Sequence, residues 1–239
     1  NCSISMNWGD KIPYERLDVV PGVGNSANAA VSAQRLGLKT ALITDIGTDT
    51  FGKEIIEVFN KEGLSCEYVR QHENIPTNYH FVLSYEAERT ILVKHQEYPY
   101  EFPTKLDEPK MFYLSSMGEN SESYHEAIAD WLEAHPNVLL AFQPGTFQMK
   151  LGHEKLARIY KRANLFFANK EEYQRILSTE ERNEKKLLDM MHDLGVTTPI
   201  LTDGRDGAYA REESGEITHV DMFPDPAPPV ERTGAGDAF

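Results

Sequence analysis

The chain has 239 residues, 40% of them hydrophobic, enough material for one large domain with a substantial core. Its 24 basic and 38 acidic residues leave a net charge of −14, which argues against binding nucleic acid or an anionic membrane surface. No apolar run approaches the ~18 residues that a membrane-spanning helix needs, and no secretory leader is visible. Two cysteines, Cys2 and Cys66, make neither a disulfide framework nor a zinc site, and a reducing, cytoplasmic compartment is expected.

In chain order, Tyr14-Glu-Arg-Leu-Asp-Val-Val20 reads as an exposed strand, because Glu15, Arg16 and Asp18 interrupt it. Asn25 to Leu36 is Ala-rich, opens on Asn and Ser and stops at Gly37, which predicts a helix. Thr40 to Thr44 reads as a short buried strand. Thr48 to Glu62 carries Phe51, Ile55 and Phe59 at spacing four and ends at Gly63, a second helix. Residues 66–70 read as a strand, and 78–95 as a hairpin of Tyr79–Ser84 and Arg89–Lys94. A strand follows at 110–115, a helix at 122–134, a strand at 138–142, a helix at 151–162 and a strand at 165–168. Helices come next at about 170–178 and 181–194, then a strand at 199–202 and two short strands near 207–211 and 216–220.

From residue 110 onward this order predicts a mostly parallel sheet with helices on both faces. The hairpin breaks that rhythm and alternates polar with apolar residues, so one of its faces is wet or covers a site. Both ends read as cut: no initiating Met is present, and Thr233 to Phe239 stops inside what reads as a helix start.

Two stretches imitate nucleotide-binding motifs. Gly22-Val-Gly-Asn-Ser-Ala27 fits G-x-G-x-x-G/A, which would suit an NAD-binding oxidoreductase. Its preceding segment is too charged for the buried parallel strand that such a fingerprint follows. Gly47-Thr-Asp-Thr-Phe-Gly-Lys53 fills seven of the eight Walker A positions. The eighth is Glu54 instead of a magnesium-binding hydroxyl, so the glycines read as a closely packed strand-to-helix turn.

Four other stretches carry chemistry together. Thr233-Gly-Ala-Gly-Asp237 leaves backbone N–H groups free to converge on an anion at a helix start, with an Asp placed to take a proton from a neighbouring hydroxyl. Read blandly, it is a Gly-rich turn. Asn169 and Glu172, three apart after a strand, share one side of a helix start and could order magnesium-bound waters; they also form a capping-box pair. Thr202-Asp-Gly204 closes another strand and could admit nucleotide, or simply turn into a hairpin. Gly24 and Asn28 suit a backbone approach and hydrogen bonds to sugar hydroxyls.

In this order the motifs resemble the PfkB family, the ribokinase-like carbohydrate kinases. The amino-proximal signature corresponds to Gly24, Asn28, Leu36-Gly37 and Gly47-Thr-Asp49-Thr-Phe-Gly52, and the second signature to Glu231-Arg-Thr-Gly-Ala-Gly-Asp-Ala-Phe239. The resemblance spans about residues 14–239. It implies one ribokinase-like domain over 1–239, a three-layer α/β/α fold with a small β-sheet lid built from strands at about 14–21 and 78–95.

The resemblance also implies ATP-dependent phosphoryl transfer to a sugar or nucleoside. Asp237 would be the base and the Gly234, Ala235 and Gly236 amides the anion hole. Asn169 and Glu172 would organise Mg2+ through water, Thr202 and Gly204 would touch ATP, and Gly24 and Asn28 would hold the acceptor. A monovalent-cation site is implied near the second signature, where this sequence has Glu231-Arg232 in place of Asp-Thr. A first strand before Asn1, an adenine-binding segment after Phe239 and a homodimer through the lid are implied as well. The alternative from another class is a catalytically silent sugar- or nucleotide-binding relative.

Overall fold

Helical and extended segments alternate from Asn25 onward and sort into three sheets. The computed structural model describes residues 5–85, 88–224 and Gly236.

The amino-proximal part forms a small layer of its own. Helix α1 (Asn25–Arg35) ends as Gly37 turns the chain with φ +87°. Strand β1 (Thr44–Gly47) leads into α2 (Thr50–Lys61), and β2 (Val69–His72) pairs parallel to β1 from Thr44↔Val69 to Gly47↔His72. Both strands lie later than their sequence patterns predict. Leu42 is drawn into a small core with Ala30, Phe59 and Leu64, so Ala41 makes only an isolated bridge to Ser65 and the ladder begins at Thr44.

The predicted hairpin is present as antiparallel β3 (Phe81–Tyr85) and β4 (Glu88–Leu92), registered from Phe81↔Leu92 to Tyr85↔Glu88. Residues 14–21, expected as a lid strand, form no strand. Residues 14–20 are exposed, and Arg16 pairs with Asp18 at 2.6 Å within the segment. With no neighbouring edge to bond among the described residues, an extended segment makes no ladder.

The main sheet supplies the frame for chemistry. β5 (Met111–Leu114), β6 (Leu139–Phe142), β7 (Leu165–Asn169) and β8 (Thr198–Thr202) are parallel neighbours. β9 (Ala208–Arg211) and β10 (Ile217–Val220) extend the sheet antiparallel, giving the order β10-β9-β8-β7-β6-β5.

The connecting helices are α3 (Glu122–Ala134), α4 (Thr146–Leu151), α5 (Ala157–Arg162), α6 (Lys170–Ile176) and α7 (Glu184–Asp193). One helix was predicted at 151–162. The chain makes α5 over the second half of that range only and adds α4 ahead of it, with Gly152 at φ +88° ending α4.

Continuous apolar runs in β6 and β7 bury both faces of the sheet, as a parallel sheet between helices requires. Phe142, Phe166, Tyr160 and Tyr173 form the centre, with ring centroids 5.4–5.7 Å apart. Burying each such ring contributes roughly 1.5–3 kcal/mol. The Tyr173 hydroxyl donates to the Ile200 carbonyl at 3.1 Å, so its polar end is satisfied inside the core.

Candidate active site

The carboxyl ends of the parallel strands are where an open α/β sheet presents its loops to a ligand. At the end of β7 the Asn169 side chain accepts from the Glu172 N–H at 2.9 Å, and Glu172 returns a bond to the Asn169 N–H at 2.9 Å. This reciprocal cap opens α6. Asn169 is the register partner of Thr202, the last residue of β8.

Lys170 lies between the two strand ends. Its ammonium meets Glu184 at 2.5 Å and Asp203 at 2.7 Å, all three side chains being about one-quarter exposed. Hydrogen bonds to Asp203 and then Glu184 push the Lys170 pKa well up. The cation is therefore held at every ordinary pH and is committed to bracing the two loops.

After Thr202 the chain makes a short 3-10 turn, Gly204–Asp206, with Gly204 at φ +54°. Gly207 closes it at φ +82°, and a Cβ there would stand 2.1 Å from the Val220 carbonyl oxygen. The Gly207 carbonyl accepts from the Asp203 N–H at 2.9 Å. Only glycine allows β10 to approach this closely.

A buried polar network joins the ends of β5 and β6. The His125 Nδ1 faces the Ser121 carbonyl at 2.7 Å, so it carries the proton. Its Nε2 then accepts from the Gln148 amide at 2.9 Å. Gln148 also donates to the Ser115 carbonyl at 3.0 Å and accepts from the Gly145 N–H at 2.7 Å. His125 is 1% exposed, and burial lowers its pKa, keeping the ring neutral.

Beside this network lies a cavity of about 540 Å3. Its walls come from the segment leaving β4, including His95 and Glu97, from Gly118, Glu119 and Asn120 after β5, and from Phe147 at the start of α4. The His95 and Phe147 rings meet edge to face at 5.0 Å, and His80 lies against His95 at 5.4 Å.

Helix α1 touches the same edge through Ser26, whose hydroxyl is 2.5 Å from that of Ser115. Gly24 precedes the helix at φ +139°, with its N–H donating to the Asn28 side chain at 3.4 Å. Asn28 lines a second cavity, of about 480 Å3, together with Gly22, Val31, Arg35 and Val58. The two expected acceptor-binding residues thus stand together but outside the lining of the larger cavity.

Both imitation motifs have local explanations. Among the described residues no strand leads into Gly22, so the G-x-G-x-x-A stretch is not seen following the buried strand on which a dinucleotide site is built. In Gly47–Lys53 the loop is closed on itself. Asp49 accepts from the Gly52 N–H at 3.0 Å, the Thr77 hydroxyl at 2.6 Å and the Thr77 N–H at 2.9 Å. The Thr77 oxygen in turn accepts from the Gly47 N–H at 3.0 Å. A Cβ on Gly52 would lie 1.9 Å from the Gly47 carbonyl oxygen, so close packing accounts for that glycine. Burial raises the Asp49 pKa, yet the bonds from Thr77 and Gly52 outweigh it and lower the pKa overall.

Gly234, Ala235 and Asp237 lie outside the described residues, and Gly236 is exposed. Among the described residues no group of three or more His, Cys, Asp and Glu is arranged to hold a metal directly, and no helix is long and apolar enough to cross a membrane.

Sequence reasoning missed the His125–Gln148–Ser115 network and the cavity walls. The available signal was His125, a polar residue inside the helix expected at 122–134; Gln148 lay outside every expected helix.

The profile of pfkB family carbohydrate kinases matches residues 15–239. An ATP-dependent 6-phosphofructokinase of Thermoanaerobacterium thermosaccharolyticum is 27% identical over 99% of this chain and 75% of its own length. Two solved structures share the fold. An Arabidopsis thaliana ribokinase complexed with ribose and ATP superposes with a TM-score of 0.75 at 20% identity, covering 95% of this chain and 77% of that one. A Vibrio cholerae fructokinase bound to fructose, ADP and calcium gives 0.73 at 19% identity, covering 90% of this chain and 73% of that one. The mostly parallel sheet with flanking helices is therefore ribokinase-like.

Proposed function

The chain belongs to the pfkB family of carbohydrate kinases, and we propose that it transfers the γ-phosphoryl group of ATP to a hydroxyl of a sugar or nucleoside. One observation carries this reading beyond family membership: Asn169 and Thr202 end adjacent parallel strands in register, at the sheet edge where such folds bind nucleotides.

In the proposed arrangement Thr202 and Gly204 line the path of the ATP phosphates. The left-handed Gly204 has open space where a side chain would stand, so a polyphosphate can approach its backbone. Lys170 offsets part of the negative charge of the Asp203 and Glu184 carboxylates beside that path.

Asn169 Oδ1 and one Glu172 oxygen are committed to the helix cap, which leaves the second Glu172 oxygen to face Mg2+-bound water. That donor set suits a hydrated magnesium ion and not a directly ligated one. When bound, Mg2+ would neutralise phosphate charge. Arg232, standing where the family has Thr, leaves any monovalent-cation site with fewer side-chain oxygen donors.

Asp237 would take the proton from the acceptor hydroxyl as it attacks phosphorus, and the Gly234, Ala235 and Gly236 amides would stabilise the migrating phosphoryl group. Hairpin β3–β4 would act as a lid, shedding water from the acceptor site and limiting ATP hydrolysis. Neither of its edges has a strand neighbour among the described residues, so a second copy pairing there would cover it.

The test is ADP formation measured with a panel of sugars and nucleosides. Acceptor-dependent ADP formation supports the kinase reading. Acceptor binding with no ADP formed under any condition would make the chain a silent binder instead.

A further inference from the structure

We propose that the cavity walled by the segments leaving β4, β5 and β6 admits an uncharged, hydroxyl-rich acceptor and rejects the phosphate esters of the same compounds. This rests on the kinase reading for its chemistry, and its test is one of binding.

The place of the cavity is the first argument. Its walls are the segments leaving β4, β5 and β6, so it opens at the carboxyl edge of the sheet that also carries Asn169 and Thr202. Gln148, next in sequence to Phe147, ties the Ser115 carbonyl to the Gly145 N–H and so links the segments that carry the Gly118–Asn120 and Phe147 walls.

Charge is the second. Among the described residues the charged side chains of the lining are Glu97 and Glu119, with no Lys or Arg. Among the described residues, the other cations on these segments are engaged or outside the lining. Arg70 is held by Asp45 at 2.8 Å and Glu101 at 3.2 Å, and Lys170 by Glu184 and Asp203. Lys150 lies 5.2 Å from the Phe147 ring centroid and Lys94 falls between two lining residues, yet neither is in the lining. Arg89 stands further along β4, opposite Ser84. His80, against His95, is kept neutral by burial and by that neighbour.

Recognition follows from these groups. Glu97, Glu119, Gln96 and Asn120 suit the donors and acceptors of sugar hydroxyls, while Phe147 and Val93 suit the apolar face of a ring. A phosphate dianion seated there meets two carboxylates of its own sign, and closing a lid over it would strengthen the repulsion by removing water.

The experiment is calorimetric titration of the protein, its nucleotide site filled with a non-hydrolysable ATP analogue and Mg2+. The ligand pairs are fructose and fructose 6-phosphate, ribose and ribose 5-phosphate, and adenosine and adenosine monophosphate. At least one neutral compound is expected to bind at least about tenfold more tightly than its ester. The Glu97→Gln, Glu119→Gln double variant, with an unchanged thermal midpoint, is expected to narrow that gap by about threefold or more. Tighter binding of the esters, binding of no compound, or a gap that the double variant leaves unchanged overturns the proposal. ADP formation is read separately, so binding of the neutral sugar without phosphoryl transfer counts against the kinase reading and not against this one.

Discussion

Asn169 and Thr202 face each other at the last register position of the β7–β8 ladder. Two motifs 33 residues apart in sequence thereby share one sheet edge, and Lys170, next to the first, bonds to Asp203, next to the second, at 2.7 Å. The distance between the two loops is set by backbone pairing on one side and by an ion pair on the other.

Removing that cation should loosen the proposed nucleotide edge. Lys170→Met leaves Asp203 and Glu184 without their shared partner beside incoming phosphates. The expected result is a several-fold rise in KM for MgATP with a smaller change in kcat, and recovery of most of the loss in Lys170→Arg. Steady-state kinetics of the two variants check this.

The Walker-like loop should prove structural. Asp49→Ala strips partners from the Thr77 hydroxyl, the Thr77 N–H and the Gly52 N–H at once. A loss of about 2 kcal/mol or more is expected by denaturant unfolding. Lys53→Ala should leave KM for ATP unchanged, which a phosphate-binding lysine would not.

Acid should weaken the network around His125. In the unfolded chain this ring protonates near its ordinary value of 6.5, while burial lowers its folded value. The unfolded state therefore binds more protons as pH drops below about 6.5, and stability falls with pH there, by at most about 1.4 kcal/mol per pH unit for this one group. Above that pH its contribution is fully present. The neighbouring carboxylate, Glu126, favours the proton but less than burial opposes it. Thermal unfolding from pH 7 to 5 should show a shallower slope for His125→Asn than for the wild type.

Much of the frame was legible because it is local. The apolar runs of β5 to β8 and the helices between them announce a parallel sheet, and Asn169 with Glu172 announces a cap that the chain does form. The end of α4 at Gly152 was hidden because that glycine acts through its backbone angle, which apolar spacing does not record. Residues 14–20 read as an exposed strand from their interrupting charges, yet a ladder also needs a partner edge, which the pattern of one segment cannot supply. Gln148 was invisible as a site residue because two of its three partners, Ser115 and His125, lie 33 and 23 residues away in sequence. Asn28 was placed with the acceptor by its motif, yet it faces a different cavity from His95 and Glu119.

The most direct measurement of the central claim is the turnover of Asp237→Asn beside its ligand binding. With a neutral acceptor and MgATP, the account predicts a fall in kcat of about a hundredfold or more, while both ligands bind within about threefold of wild-type affinity. Turnover within about twofold of the wild type would contradict it.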